Sequence, residues 1–570
     1  MGILHKMVQI LQTLDPDNKQ WREIQKQKAI AETEQAFSIG DHEERNQRLA
    51  EISDVFENNA SDYGRKLYLI ENCIFGVDIQ PIAVQISKLR FFISLIIDQK
   101  ADPNKDNFGI RSLPNLETKF VAANTLIGLE KENSLFRTPE IENKENELKQ
   151  VRHEYFTANN RSKKLKLQEK DKKLRKELAE ELANLGYSKS TAENIAKLDL
   201  FDQNTFAKWF EPEWMFGLTN GFDVVIGNPP YVQLQKNGGE LSKLYGPTKK
   251  DKKTIPSPYK TFDSMGDLYS LFYECGYNLL KASGKLCFIT SNKWMRAGYG
   301  ENTRKFFVEN TNPEKLTDFA GVKVFESATV DTNILLFSKD KNRQQTQACI
   351  VKKEGIKDLS VYIRQNSTVC SFSAESWVIL SPIEQRIKAK IEAVGTPLRD
   401  WNINIYRGIL TGYNEAFIID GKKKDELIAE DLKSAEIIRP ILRGRDIKRY
   451  GYDFADLWLI NTHNGVKEKG INPIDINVYP AIKRHLDKYF SDLEKRADKG
   501  DTPYNLRNCA YMEDFSKQKI MYPNMTKFLP FYLDEKRFMQ NDKSFMITGK
   551  TLYFLVAFLT HIAYQPLLTD

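Results

Sequence analysis

Three short apolar runs, each closed by an acid or an amide, narrow the folds open to this chain of 570 residues. They are Ile74-Phe75-Gly76-Val77-Asp78-Ile79, Lys119-Phe120-Val121-Ala122-Ala123-Asn124, and Phe222-Asp223-Val224-Val225-Ile226-Gly227 followed by Asn228. Runs of this length and composition read as buried strands. Behind the first, Pro81 to Ile97 places Ala83, Val84, Ile86, Leu89, Phe92, Ile93 and Ile96 at helical spacing, with proline in the first turn. Strand, acid, helix is half of a βαβ unit. Leu286 to Thr290, after a Gly284-Lys285 turn, and Thr332 to Ser338 predict a fourth and a fifth strand. The alternation predicts an α/β fold: a mostly parallel sheet with helices on both faces. Ligands gather at the carboxyl ends of such strands, where Asp78, Asn124 and Asn228 fall.

The chain is too long for one hydrophobic core. Its rhythm changes near residue 370, to short strands and turns rich in Tyr and Arg, which predicts domains over 1–345 and 375–570. Met1 to Leu14 reads as a helix stopped by Asp15-Pro16-Asp17, with a polar, helix-favouring stretch to about Asn59. Residues 140–200, almost wholly Lys, Glu, Leu, Arg and Ala along Lys163 to Leu182, read as a charged, solvated helical hairpin inserted in the first domain. Residues 341–570 hold 36 Lys and Arg against 29 Asp and Glu, whereas the first 340 are balanced. A basic excess confined to one half suits a polyanionic partner docking there. Six scattered cysteines form no CxxC pair, and no His/Asp/Glu spacing predicts a metal. No apolar stretch has spanning length (Leu552 to Ala563 reads as a buried helix), so the expected location is the cytoplasm and no membrane partner is expected.

Asn228-Pro229-Pro230-Tyr231 carries the chemistry. The Asn228 side-chain oxygen and the Pro229 carbonyl are two acceptors for the two N–H bonds of an exocyclic amine. Acceptors set out of the ring plane withdraw the nitrogen lone pair from conjugation and make it nucleophilic without a general base. The prolines fix φ and hold the Pro229 carbonyl, and Tyr231 offers a ring for a base to stack on. A base must leave its duplex to reach such a corner. The other reading is a Pro-Pro turn with Tyr231 in the core.

The chain resembles DNA adenine-N6 methyltransferases of the γ motif order, in particular the long enzymes of type IIG-like restriction–modification systems. The resemblance runs from Gly76-Val77-Asp78-Ile79 with Pro81-Ile82-Ala83, through Ala123-Asn124-Thr125-Leu126, to the double-proline tetrapeptide. It continues through Gly266-Asp267-Leu268-Tyr269 and Phe288-Ile289-Thr290-Ser291-Asn292-Lys293-Trp294. It implies a Rossmann-like class I methyltransferase sheet with a helical insertion and a mixed α/β target-recognition domain. It further implies S-adenosyl-L-methionine as methyl donor, double-stranded DNA as partner, and methyl transfer to adenine N6 within a restriction–modification or defence system. The catalytic set is then Asn228, Pro229, Pro230 and Tyr231. The cofactor would meet Asp78 with Ile79 through its ribose and Asn124 through its adenine, with Asp267 and Tyr269 nearby. Asp78 and Asn124 also suit helix capping. Phe325, in Val324-Phe325-Glu326, takes the family's place for an aromatic against the flipped base, or is a core Phe. In the second domain Tyr406 to Asn414 and Arg439 to Ile447 resemble recognition-domain elements. Arg407, Arg443, Arg445, Lys448 and Arg449 are the candidate DNA-binding cations, although Asp446 and Asp453 are alternative partners for some.

One family element has no counterpart in the 570 residues: the glycine-rich cofactor loop. Ala297-Gly298-Tyr299-Gly300 comes nearest but follows the fourth strand. The expectation is a fragment that lacks the central first strand, ends within its recognition domain and carries no endonuclease site, and that binds the cofactor weakly or not at all unless a missing N-terminal segment, another polypeptide or a restriction subunit supplies the loop. Two alternatives stand beside the methyltransferase: a catalytically inactive DNA-binding fragment, and a protein glutamine-N methyltransferase.

Overall fold

The computed structural model describes residues 2–38, 40, 42–43, 45–46, 49, 62–99, 101, 103–104, 106–110, 112–129, 138–202, 204–250, 253–325, 330–526 and 530–561. Asn59, Glu326 and Ala563 lie outside the described residues. The chain forms two compact units, residues 1–382 and 383–570.

In the first unit, helix α1 (Gly2–Leu14) buries Leu4 and Val8 and stops at Asp15. The Asp15 carboxylate accepts from the Trp21 amide (3.0 Å) and pairs with Arg65 (2.5 Å). It thereby fixes the start of α2 (Lys19–Ala36) and the side of α3 (Asp62–Asn72). Strands β1 (Gly76–Asp78) and β2 (Phe120–Ala122) pair in parallel, Asp78 opposite Ala122, with helix α4 (Pro81–Ile96) between them in sequence. Val84, Phe91 and Leu95 of α4 join Leu4, Ile70 and Phe120 in one core. This is the βαβ unit expected from the strand–acid–helix pattern.

Residues 139–197 form three helices, α5 (Pro139–Thr157), α6 (Arg161–Asn184) and α7 (Lys189–Lys197). Leu148, Val151, Tyr155, Leu167, Leu174, Leu178 and Ile195 make their own core. The insertion is less solvated than its composition predicts. Asp171 is fully buried and accepts from both Arg152 (2.8 Å) and Arg175 (2.7 Å). Part of the charge is therefore internal glue, because burying one carboxylate demands cations beside it.

The larger sheet of this unit has six strands: β3 (Phe222–Gly227), β4 (Leu280–Ser291), β5 (Asn312–Asp318), β6 (Thr332–Ser338), β7 (Thr346–Ile350) and β8 (Thr368–Cys370). Their spatial order is β8-β7-β5-β6-β4-β3. Helix α8 (Leu268–Leu279) leads into β4, and α9 (Glu301–Asn310) connects β4 to β5. The expected mostly parallel sheet is corrected here. Pairs β3–β4 and β5–β7 are parallel, but β6 runs antiparallel to both β4 and β5, and β8 to β7. The chain turns back from β5 into β6 with no described helix between them, and without a helical crossover a neighbouring strand arrives reversed. Tyr273, Leu286, Phe288, Trp294, Phe307, Leu335, Phe337 and Trp377 pack the core against this sheet. At its edge β3 leaves Val224 59% and Ile226 55% exposed. Among the described residues no strand joins β3 to β1, and the β1–β2 pair is a separate sheet. Phe75, Phe216 and Phe222 connect the two, with Phe75 and Phe222 ring centres 6.1 Å apart.

The second unit holds two four-stranded sheets. One pairs Ile403–Arg407 with Ser544–Gly549, Lys519–Pro523 and Tyr532–Asp534, all antiparallel. The other joins Ile418–Asp420, Leu457–Ile460, Ile438–Leu442 and Met539–Gln540. Phe417, Ile441, Leu459, Ile482, Leu486 and Phe515 are central to its main core. The C-terminal apolar run folds as a helix over Leu552–Thr560, burying Leu552, Leu555 and Leu559 while Tyr553 and Phe554 stay exposed.

Candidate active site

The carboxyl ends of β1, β2 and β3 supply the candidate residues of the first unit. Asp78 is exposed, and its Oδ1 accepts from the Gln80 amide (2.8 Å). The residue capping α4 is Gln80, so Asp78 closes a tight turn and leaves its second oxygen outward. The Asp78 carbonyl accepts from the Ala123 amide (2.9 Å), which sets Asn124 beside it. Ile79 is 52% exposed.

Asn124 is held from two directions. Its Oδ1 accepts from the Leu126 amide (3.1 Å) and its Nδ2 donates to the Tyr245 hydroxyl (3.3 Å). The Tyr259 hydroxyl donates to the Leu126 carbonyl (2.7 Å), and the Cys275 thiol on α8 donates to the Thr125 carbonyl (3.1 Å). Burial pushes both the Tyr245 and Tyr259 hydroxyls up, which keeps them neutral. Asn124 caps no helix here: it closes a turn onto Leu126, and that turn is wired to the elements that follow β3.

At the end of β3 the chain makes the double-proline corner. Pro229 is buried while Asn228 and Pro230 are exposed. Among the described residues neither the Asn228 side chain nor the Pro229 carbonyl has a hydrogen-bond partner. Tyr231 is half-buried. Its hydroxyl donates to the Ile289 carbonyl of β4 (3.4 Å), and its ring stands edge-on to Tyr269, centres 6.2 Å apart. Burial raises the Tyr231 pKa.

The next residues zip onto the segment before α8. The Leu268 amide donates to the Val232 carbonyl (2.8 Å) and the Leu234 amide to the Gly266 carbonyl (2.9 Å). This bridge carries Asp267 and Tyr269 to the corner. Asp267 is 6% exposed and accepts from the Tyr299 hydroxyl (3.1 Å). Burial first, and then the neighbouring Asp267 charge, pushes the Tyr299 hydroxyl up to about 12. The Tyr269 hydroxyl is fully buried with no hydrogen-bond partner among the described residues, and the same two causes push it far above the usual phenol range.

Backbone hydrogen bonds thus bring Asp78 and Asn124 together, and separately join the Asn228 corner to Asp267 and Tyr269. Phe325 is half-buried, and no described contact joins it to the corner. Tyr245 and Tyr299 are the partners that sequence reading missed. Tyr299 sits in the Gly298-Tyr299-Gly300 turn, which resembled a misplaced cofactor loop. There a Cβ on Gly300 would lie 2.0 Å from the Trp294 carbonyl oxygen, so its glycine serves close packing.

With that geometry in place, the likeness to known proteins is informative. Residues 72–325 match the Eco57I restriction-modification methylase family. The match contains every candidate residue of the first unit. The Type II methyltransferase M.BstVI of Geobacillus stearothermophilus is 23% identical over 330 residues, covering 53% of this chain and 55% of its own length. The Type II restriction enzyme and methyltransferase RM.Eco57I of Escherichia coli is 29% identical over 211 residues, covering 36% of this chain and 20% of its own. The chain spans about half the length, or less, of the curated relatives it matches. Among solved structures, the Type IIL restriction-modification enzyme MmeI in complex with DNA is similar at a TM-score of 0.45 and 11% identity, covering 90% of this chain and 61% of that one.

The candidate cations outside the methylase region have mixed environments. Arg443 makes two bonds of 2.9 Å to the Asp446 carboxylate, which raises its pKa. Arg407 donates to the Asp542 carbonyl (3.1 Å) and carboxylate (3.4 Å), and Lys448 pairs with Asp453 (3.4 Å). Arg449 donates to the Thr560 carbonyl and lies 5.2 Å from the Tyr450 ring centre. Arg445 is exposed and makes no ion pair among the described residues.

Proposed function

We propose that this chain is an S-adenosylmethionine-dependent methyltransferase that modifies adenine N6 in double-stranded DNA, within a restriction–modification or defence system. Its sheets are then the two sides of a Rossmann-like class I fold, with residues from about 375 onward reading the target sequence. The observation that carries the proposal is the free pair of acceptors, the Asn228 side chain and the Pro229 carbonyl, at the carboxyl end of β3.

The residues present fit the adenosine half of the cofactor. Asp78 keeps an outward carboxylate oxygen for a ribose hydroxyl, Ile79 offers an exposed apolar face, and the buried Tyr269 hydroxyl lacks a partner beside Asp267. When bound, the cofactor supplies an electrophilic methyl group. The chain's own residues do the rest. Asn228 Oδ1 and the Pro229 carbonyl accept the two amine N–H bonds of a flipped adenine and direct its lone pair outward. Buried Pro229 holds that carbonyl still, which is the preorganisation on which electrostatic catalysis depends. Tyr231 borders the base, with Phe325 as a second aromatic. Arg445, Lys448, Arg449 and Arg407 neutralise phosphates, while Arg443, braced on Asp446, shapes the turn that presents them.

The test is incubation of the chain with labelled S-adenosylmethionine and duplex DNA, followed by digestion to nucleosides. Label in N6-methyldeoxyadenosine is the expected result. Label confined to cytosine, or to protein glutamine, contradicts the proposal.

A further inference from the structure

Away from the corner, on the α4 side of β2, the first unit holds a half-open cavity of about 360 Å³. It lies between α4, β2 and residues 194–202 and 205–209, and Asp78, Ile79, Asn124 and Asn228 do not line it. We infer that this cavity binds a small phosphate monoester, with Lys88 as the charge that holds it.

Lys88 sits two turns into α4, on the same helix face as Val84 and Gln85, which line the cavity with it. The residue is 5% exposed. Among the described residues its ammonium makes no hydrogen bond and no ion pair. Glu117 attracts it electrostatically without bonding to it. A buried cation in this position is costly unless an anion meets it. Desolvation lowers the Lys88 pKa, which is the expected signature of that missing partner.

The rest of the lining decides the kind of anion. Lys208, also on the wall, has no ion pair among the described residues, whereas Lys197 is held by Glu193 at 2.9 Å. Two uncommitted lysines match the double charge of a phosphate monoester better than a single carboxylate. Asp199 and Asp202 also line the cavity, and both already accept backbone amides, Asp199 from Phe201 (2.9 Å) and Asp202 from Asn204 (3.0 Å). Phe120 and Trp209 give the apolar surface against which an organic group packs. The volume falls within the usual range of small-molecule sites. This inference does not rest on the methylation reading.

Calorimetric titration of the full chain with glucose 6-phosphate, and with glucose, tests it. The phosphate ester should bind and glucose should not. Lys88→Met should weaken binding at least tenfold. Lys88→Gln, which keeps a donor but not the charge, should do the same, and Lys88→Arg should retain binding within about threefold. Equal affinity for glucose and its phosphate, or binding that both neutral variants preserve, overturns the inference.

Discussion

The strand ends of the first unit and the buried charges of the second treat polar side chains in opposite ways. In the first, groups at the strand ends are left available: Asn228 without a partner among the described residues, and Asp78 with one oxygen outward. In the second, several charges are turned inward. Lys519 and Asp534 form a fully buried pair at 2.5 Å, with the Phe515 carbonyl and the Phe538 amide completing their bonds. Arg496 donates to the carbonyls of Thr411, Pro503 and Asn505, and desolvation pulls it down to about 10. Arg443 is braced on Asp446. Residue type alone therefore does not reveal function. A polar group left without a partner at a strand end is a site candidate, whereas an arginine in a basic stretch can be architecture.

The contrast predicts a graded set of effects. The largest concerns the buried pair. Asp534→Asn should cost the second unit about 3–5 kcal/mol, because it strands a buried ammonium. Chemical denaturation that shows no separate loss in this unit would contradict the view that its charge is internal structure.

Next come two arginines one residue apart. Arg443→Ala should lower stability by about 1 kcal/mol, since the pair is partly exposed. Arg445→Ala should leave the melting temperature unchanged, weaken DNA binding several-fold and reduce the salt dependence by about one phosphate contact. Equal effects of both on DNA affinity would erase the distinction between them.

The smallest effect is pH-dependent. His485 is buried against the Ala416 carbonyl (2.9 Å), and desolvation lowers its pKa below the ordinary 6.5. The unfolded chain takes up the proton at higher pH than the folded one, so stability declines as pH falls below about 6.5. His463 is lowered for the same reason and adds to the slope. Denaturation midpoints between pH 7 and 5 should therefore decrease, and His485→Gln should reduce that decrease without removing it.

Much of the fold was legible because apolar runs were short and their ends were marked. β1, β2, β3 and β6 fell within a residue or two of expectation, as did α1 and α4. β5 was missed because Asn312 to Asp318 carries a single aliphatic residue, Leu316, and its buried threonine, asparagine and aspartate look like loop. The start of β4 was hidden by Ser283, whose φ of 59° kinks the strand where the sequence reads as a turn. The corner itself was readable since its prolines are local. Tyr245 and Tyr299 were not, because their roles rest on bonds to Asn124 and Asp267, which only tertiary structure brings near.

The central claim is that an unpartnered asparagine on a proline-fixed corner activates a base amine. Its most direct measurement is labelled-methyl incorporation into duplex DNA by Asn228→Ala, with binding to the same DNA measured alongside. A fall of at least about a hundredfold in incorporation, with DNA affinity within about twofold of the parent, is the predicted result. Incorporation equal to that of the parent would contradict it.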